Sequence, residues 1–109
     1  MIQTENLFLT PVPSDALSAI CRRFHVRRLD LFGSAATGAG FEPARSDLDF
    51  LVSFEPMSPG TYADAYFGLL AALEDLSGRS VDLVTEVALE NPYLRQRVEE
   101  ERRPLFVAA

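Results

Sequence analysis

The chain predicts an α/β (α+β) fold, a small mixed β-sheet with helices packed on it, and three observations carry that expectation. Its 109 residues, 48% hydrophobic and 24% charged, suit one domain with one core and lie far from the weakly hydrophobic, highly charged regime of disordered chains. The segment Asp47 to Phe54 alternates strictly: Leu48, Phe50, Val52 and Phe54 share one face, while Asp47, Asp49, Leu51 and Ser53 share the other, the period of a β-strand. Around it, helical and β-rich segments follow in the order helix, strand, strand, helix, strand, helix, which a layered architecture accommodates. A single domain over residues 1–109 is expected, with neither repeats nor a low-complexity linker.

Each element has a local cause. Pro11-Val12-Pro13-Ser14-Asp15 reads as a helix entrance, with Ser14 as N-cap and Asp15 in the first turn; Leu17, Ile20, Cys21 and Phe24 follow at helical spacing, predicting a helix over 14–25. Val26 to Phe32 is a β-rich run halted at Gly33-Ser34, and Gly38-Ala39-Gly40 keeps the next stretch irregular. The alternating segment makes the second strand. Pro56 to Gly60 is a turn cluster. Thr61 with Asp64 resembles a capping box before Tyr62, Tyr66, Leu69, Leu70, Leu73 and Leu76 on one helical face, which Gly78 ends. Ser80 to Thr85 predicts a third strand, Asn91-Pro92 opens the last helix, Pro104 is expected to stop it, and Leu105 to Val107 to add an edge strand.

Charge and cysteine usage narrow the function classes. Ten Lys plus Arg against 16 Asp plus Glu leave a net charge of -6, which repels phosphate backbones, and the arginines are scattered or interleaved with Glu. Stable binding to long nucleic acid is not expected. The N-terminus lacks a basic stretch followed by an apolar one, and the aliphatic run Leu69 to Leu73 falls far short of the ~20 residues that span a bilayer, so no export or membrane role is expected. A lone Cys21 and a lone His25 exclude an intrachain disulfide and a Cys/His zinc site; a reducing cytoplasm fits best.

Chemistry concentrates on a few carboxylates. Asp47 and Asp49, two apart on a strand, project from the same face with Cα atoms about 6.5 to 7 Å apart. Side by side they repel, and a divalent cation accepting an oxygen from each resolves the conflict. With oxygen ligands alone on offer, Mg2+ or Mn2+ is the natural candidate. Asp82, on another predicted strand, would complete a site for two metals, the arrangement that stabilises the attacking and leaving oxygens of an in-line phosphoryl displacement. Upstream, Gly33-Ser34 directly after a strand lets backbone N–H groups approach an anion while the Ser hydroxyl donates another hydrogen bond; a helical turn over Ala35 to Thr37 would add more donors. Taken singly, a Gly-Ser pair is more often an ordinary turn, and Asp-x-Asp more often a solvated strand end.

In combination, Leu31-Phe32-Gly33-Ser34-Ala35-Ala36-Thr37-Gly38, then Ser46-Asp47-Leu48-Asp49-Phe50-Leu51-Val52, then Val81-Asp82-Leu83-Val84 resembles the signature of minimal nucleotidyltransferases in the DNA polymerase beta superfamily, over most of the chain. The resemblance implies the polymerase-beta-like nucleotidyltransferase fold, with Gly33, Ser34 and Thr37 at the nucleotide triphosphate and Asp47, Asp49 and Asp82 as catalytic residues holding two Mg2+. It further implies transfer of AMP from Mg-ATP to an acceptor hydroxyl. Stand-alone domains of this size resemble the antitoxin half of toxin–antitoxin pairs, which implies a HEPN-type toxin as partner, its tyrosine as acceptor and a hetero-oligomer. The competing expectation is a non-catalytic antitoxin that neutralises its partner by stoichiometric binding. One departure matters: the family often carries Arg where this chain has Thr37. A triphosphate brings about -4 and the carboxylates about -3, against about +4 from two Mg2+, so the loaded site is short of positive charge, and Arg45 is a candidate to compensate.

Other residues read more plainly. His25 is expected at a surface or helix end, Cys21 as a buried structural thiol, Asp30 as a solvated acid at a sheet edge, and the run Arg95 to Arg103 as a salt-bridged helix face.

Overall fold

The computed structural model describes residues 14–38 and 47–108, which form α1 (Ser14–Arg23), β1 (Val26–Phe32), α2 (Ser34–Thr37), β2 (Leu48–Phe54), α3 (Pro59–Ser77), β3 (Val81–Thr85), a 3-10 helix (Glu86–Glu90), α4 (Pro92–Glu101) and β4 (Arg103–Val107). The Pro11 to Pro13 entrance, the Ser14 side chain expected to cap the helix, Ala39-Gly40 and Arg45 lie outside what is described; Ser14 itself is the first residue of α1. The four strands form one mixed sheet in the order β3-β2-β1-β4. β1 runs antiparallel to β2 and β4, while β2 and β3 run parallel. A parallel pair needs a crossover, and the 19-residue α3 supplies it.

The alternation of β2 decides what each face meets. Leu48, Phe50, Val52 and Phe54 enter the main core with Leu29 and Leu31 of β1, Leu17 and Cys21 of α1, and Leu69 and Leu73 of α3. Leu51 points the other way and forms a smaller cluster with Phe32 and Val98 of α4. Both faces are therefore covered, the second by a thinner apolar layer. Burial pushes the Cys21 thiol up to about 12, so it stays protonated and inert at neutral pH.

Several element ends differ from expectation, each for a local reason. α1 stops at Arg23, before His25, because His25 takes a left-handed φ of 61° and its N–H reaches back to the Arg22 carbonyl at 3.3 Å. α3 begins at Pro59, with Ser58 rather than Thr61 as N-cap: the Ser58 hydroxyl oxygen accepts the Thr61 N–H at 3.4 Å, and Pro59 sits where a missing N–H costs nothing. α4 ends at Glu101 instead of running to Pro104, which lies inside β4, an edge strand that tolerates proline.

Asp30 overturns its own expectation most clearly. β4 pairs outside β1, so Asp30 lies in an interior strand, fully buried. Arg28 Nε donates to both its carboxylate oxygens at 3.1 Å, and Arg102 Nε donates at 2.9 Å with a second guanidinium contact beside it. A carboxylate removed from water requires such partners, and Arg102 thereby ties the end of α4 to the middle of the sheet. Replacing Arg102 with Met should lower unfolding free energy by about 2 to 3 kcal/mol. In the same urea titration, Arg95→Ala, which loses an exposed pair to Glu99, should change it by less than about 0.5 kcal/mol.

Candidate active site

The site starts where β1 runs out. Gly33 takes φ 76° and ψ -160°, a conformation essentially confined to glycine. A Cβ there would collide with the Asp49 carboxylate and come within 3.3 Å of Arg97 Nη2. The bare backbone thus forms a cradle directly against an acid. The chain then makes the helical turn anticipated after Gly-Ser: the Ala36 and Thr37 N–H groups donate to the Gly33 carbonyl at 3.0 and 3.2 Å, and Gly38 closes the turn on the Ser34 carbonyl at 2.7 Å. Ser34 is half-buried. Thr37 is exposed, and its hydroxyl turns back to the Gly33 carbonyl at 3.4 Å.

The acids are assembled by strand register. Phe32 pairs with Asp49 across the antiparallel ladder, and Asp49 pairs with Asp82 across the parallel one. Paired residues on neighbouring strands share a face, so two carboxylates from distant parts of the chain stand side by side. Burial, and then the Asp82 charge, hold the Asp49 carboxyl above its ordinary range; Arg97 draws it down, while Asp47 and Glu101 add to the rise. Asp47 lies exposed immediately before β2. On the far side, burial and Asp82 together raise the Tyr66 phenol, whose O–H donates to the Leu83 carbonyl at 2.6 Å. Among the described residues, no group of three or more His, Cys, Asp or Glu gathers tightly enough to hold a metal ion. The three acids share one neighbourhood without closing into a ready-made coordination shell.

Two further residues belong to this neighbourhood and escaped the sequence reading. Glu101 Oε1 accepts the Gly33 N–H at 2.9 Å. Arg97, one helical turn earlier, pairs with that carboxylate at 3.4 Å and lays its guanidinium over the Phe32 ring, 5.7 Å from the centroid. The charged run of α4 is therefore not all solvated face: Arg95 and Glu99 fit that expectation at 3.5 Å, whereas Arg97 and Glu101 point at the glycine turn. A signal was present in the spacing, because Leu94, Val98 and Glu101 follow the three-and-four period of a packed stripe, which places a carboxylate among apolar residues.

The donor set fits a hard divalent cation in its chemistry. Asp49 and Asp82 offer carboxylate oxygens alone, stand in register, and repel in a partly desolvated position that a cation would relieve. The comparisons agree with the fold. The sequence pattern of the nucleotidyltransferase domain family matches residues 14–105, and the chain belongs to that family. A protein of Methanocaldococcus jannaschii, named as a candidate protein adenylyltransferase, is 34% identical over 79 residues, 72% of this chain and 76% of that protein. The solved structure of a candidate minimal nucleotidyltransferase superposes with a TM-score of 0.68 at 37% identity, covering 94% of this chain and 96% of its own. A Shewanella oneidensis complex of a tri-AMPylated HEPN toxin with its MNT antitoxin shares the fold, with a TM-score of 0.57 at 19% identity over 87% of this chain and 70% of that one. No helix among the described residues is long and apolar enough to cross a membrane.

Two outcomes follow from the geometry. Gly33→Ala should lower stability by about 1 to 3 kcal/mol in denaturant titrations, because the new residue must adopt a backbone conformation closed to it. The second concerns pH. A carboxyl whose folded pKa exceeds its unfolded value binds more protons when folded, so it subtracts stability as pH rises from the ordinary Asp range, about 3.9, through the raised value. Asp49→Asn should therefore raise the melting temperature at pH 7 in metal-free buffer. That gain should vanish below about pH 3.9, where wild-type Asp49 is already protonated in both states.

Proposed function

We propose that this domain transfers AMP from ATP to a hydroxyl of a partner protein, and that the partner is a HEPN-type toxin whose tyrosine is the acceptor. The observation that carries the reading is the in-register pair Asp49 and Asp82 beside a glycine turn whose backbone packs directly against the Asp49 carboxylate. The names of similar proteins support it: a candidate protein adenylyltransferase among the relatives, and an antitoxin in complex with its AMPylated toxin among the structures of like fold. The net charge of -6 would favour a more basic partner in a hetero-oligomer in the cytoplasm.

In this reading Gly33, Ser34 and Thr37 hold the triphosphate, and Asp47, Asp49 and Asp82 hold Mg2+, or Mn2+ in its place. The bound ions would offset phosphate charge and stabilise the attacking and leaving oxygens. The acceptor oxygen bonds to the α-phosphorus, the bond to the bridging oxygen of the β-phosphate breaks, and pyrophosphate leaves. Asp82, exposed at the edge strand, takes the acceptor proton. Transfer of this kind depends on alignment and charge neutralisation, so it needs no nucleophilic Ser, Cys or His.

Intact-mass spectrometry of a HEPN toxin incubated with the protein and Mg-ATP tests the proposal. The toxin should gain an adenylyl group with wild type and none with Asp49→Asn, whose far-UV spectrum should remain that of wild type. Toxin inhibition without any mass change would establish stoichiometric binding instead.

A further inference from the structure

Next to the acids, the structure already holds an anion. The Glu101 carboxylate accepts the Gly33 N–H at 2.9 Å and pairs with Arg97 at 3.4 Å. A backbone donor and a guanidinium thus converge on one negatively charged group at the turn expected to face phosphates. Among the described residues, Arg97 is the cation that acts on Asp49, and half of its side chain is exposed, so it is open to an incoming ligand. The guanidinium itself is held over the ring of Phe32, whose strand position pairs with Asp49. The turn itself, Gly33 to Gly38, contains no basic residue.

We propose that Arg97 is the phosphate-binding cation of this site, supplied from α4 instead of from the turn, and that Glu101 is an internal stand-in which the triphosphate displaces from both the Gly33 N–H and Arg97. The inference rests on the nucleotide reading above and adds the residues that admit the nucleotide. Exchange of one anion for another leaves the Gly33 donor and the guanidinium satisfied in either state, so neither is stranded when the ligand leaves. A carboxylate and a triphosphate cannot both take the single Gly33 N–H, and their like charges repel across Arg97; Glu101 therefore sets a threshold that weakens binding, while Arg97 strengthens it.

Two residues one helical turn apart should consequently act in opposite directions. Calorimetric titration of the folded protein with Mg-ATP is the measurement, repeated with inorganic tripolyphosphate to separate phosphate contacts from those to the base. Arg97→Gln, which keeps a polar side chain and removes the charge, should weaken both ligands by roughly ten- to a hundredfold, and Arg97→Lys should recover part of the loss. Glu101→Gln should tighten both several-fold. Affinity for Arg97→Gln within twofold of wild type would overturn the role of Arg97. Weaker binding by Glu101→Gln would make Glu101 a support for Arg97 and overturn the stand-in. Should wild type take up neither ligand, the nucleotide reading itself falls; tight wild-type binding with indifferent variants would sink this inference alone.

Discussion

The parallel pairing of β2 with β3 is the constraint on which the site depends. It sets Asp49 opposite Asp82, two like charges that a folding chain would otherwise separate, and holds them together through main-chain hydrogen bonds and the core beneath Leu48 and Phe50. The repulsion is carried by the whole sheet. Sliding β3 by a single residue would turn Asp82 to the opposite face and bring Val81 or Leu83 beside Asp49, so the apolar pattern that fixes register also fixes the chemistry.

Burial is distributed to suit that arrangement. One face of the sheet packs against α1 and α3 and carries most of the core; the other carries a thin apolar layer from Phe32, Leu51 and Val98, with polar groups on either side of it. At one end of this second face lie Asp49, Asp82 and the Gly33 turn, and in the middle of it, opposite Leu51, lies Asp30 with its arginines. Phe32 joins the two by packing under Val98 while presenting its ring to Arg97. The acids differ in consequence: Asp30 is compensated by two guanidinium groups and structural, whereas Asp49 is undercompensated, which is the condition for attracting a cation.

What the chain disclosed in advance was local. The alternation of Leu48 to Phe54, the proline after Asn91 and the glycine after Phe32 each act within a few residues, and each correctly located a strand, a helix start or a turn. The misjudged positions depended on partners far away in sequence. Asp30 looks solvated in the sequence because Arg102, 72 residues on, gives no local sign of lying over it, and Glu101 looks like one member of a charged run because only the packing of α4 on the sheet brings it to Gly33. The N-cap of α3 is a different kind of miss, since Ser58-Pro59 carries the same signal as Asn91-Pro92 and was outweighed by a nearby Thr and Asp. For the site, motif order marks the acids and the turn, while α4 announces itself only through the spacing of Leu94, Val98 and Glu101, and which surface that stripe meets is set by packing.

Arg102 follows Glu101 directly, and its guanidinium is moored to the buried Asp30. The backbone that carries Glu101 is therefore anchored at its next residue, so vacating the glycine turn requires torsional change in side chains and no displacement of the helix. Rotation of exposed side chains occurs in picoseconds to nanoseconds and collective movements of packed elements take microseconds or longer, so release of the half-buried, ion-paired Glu101 falls between the two. A gate hung on such a fixed post opens without moving the wall that carries it.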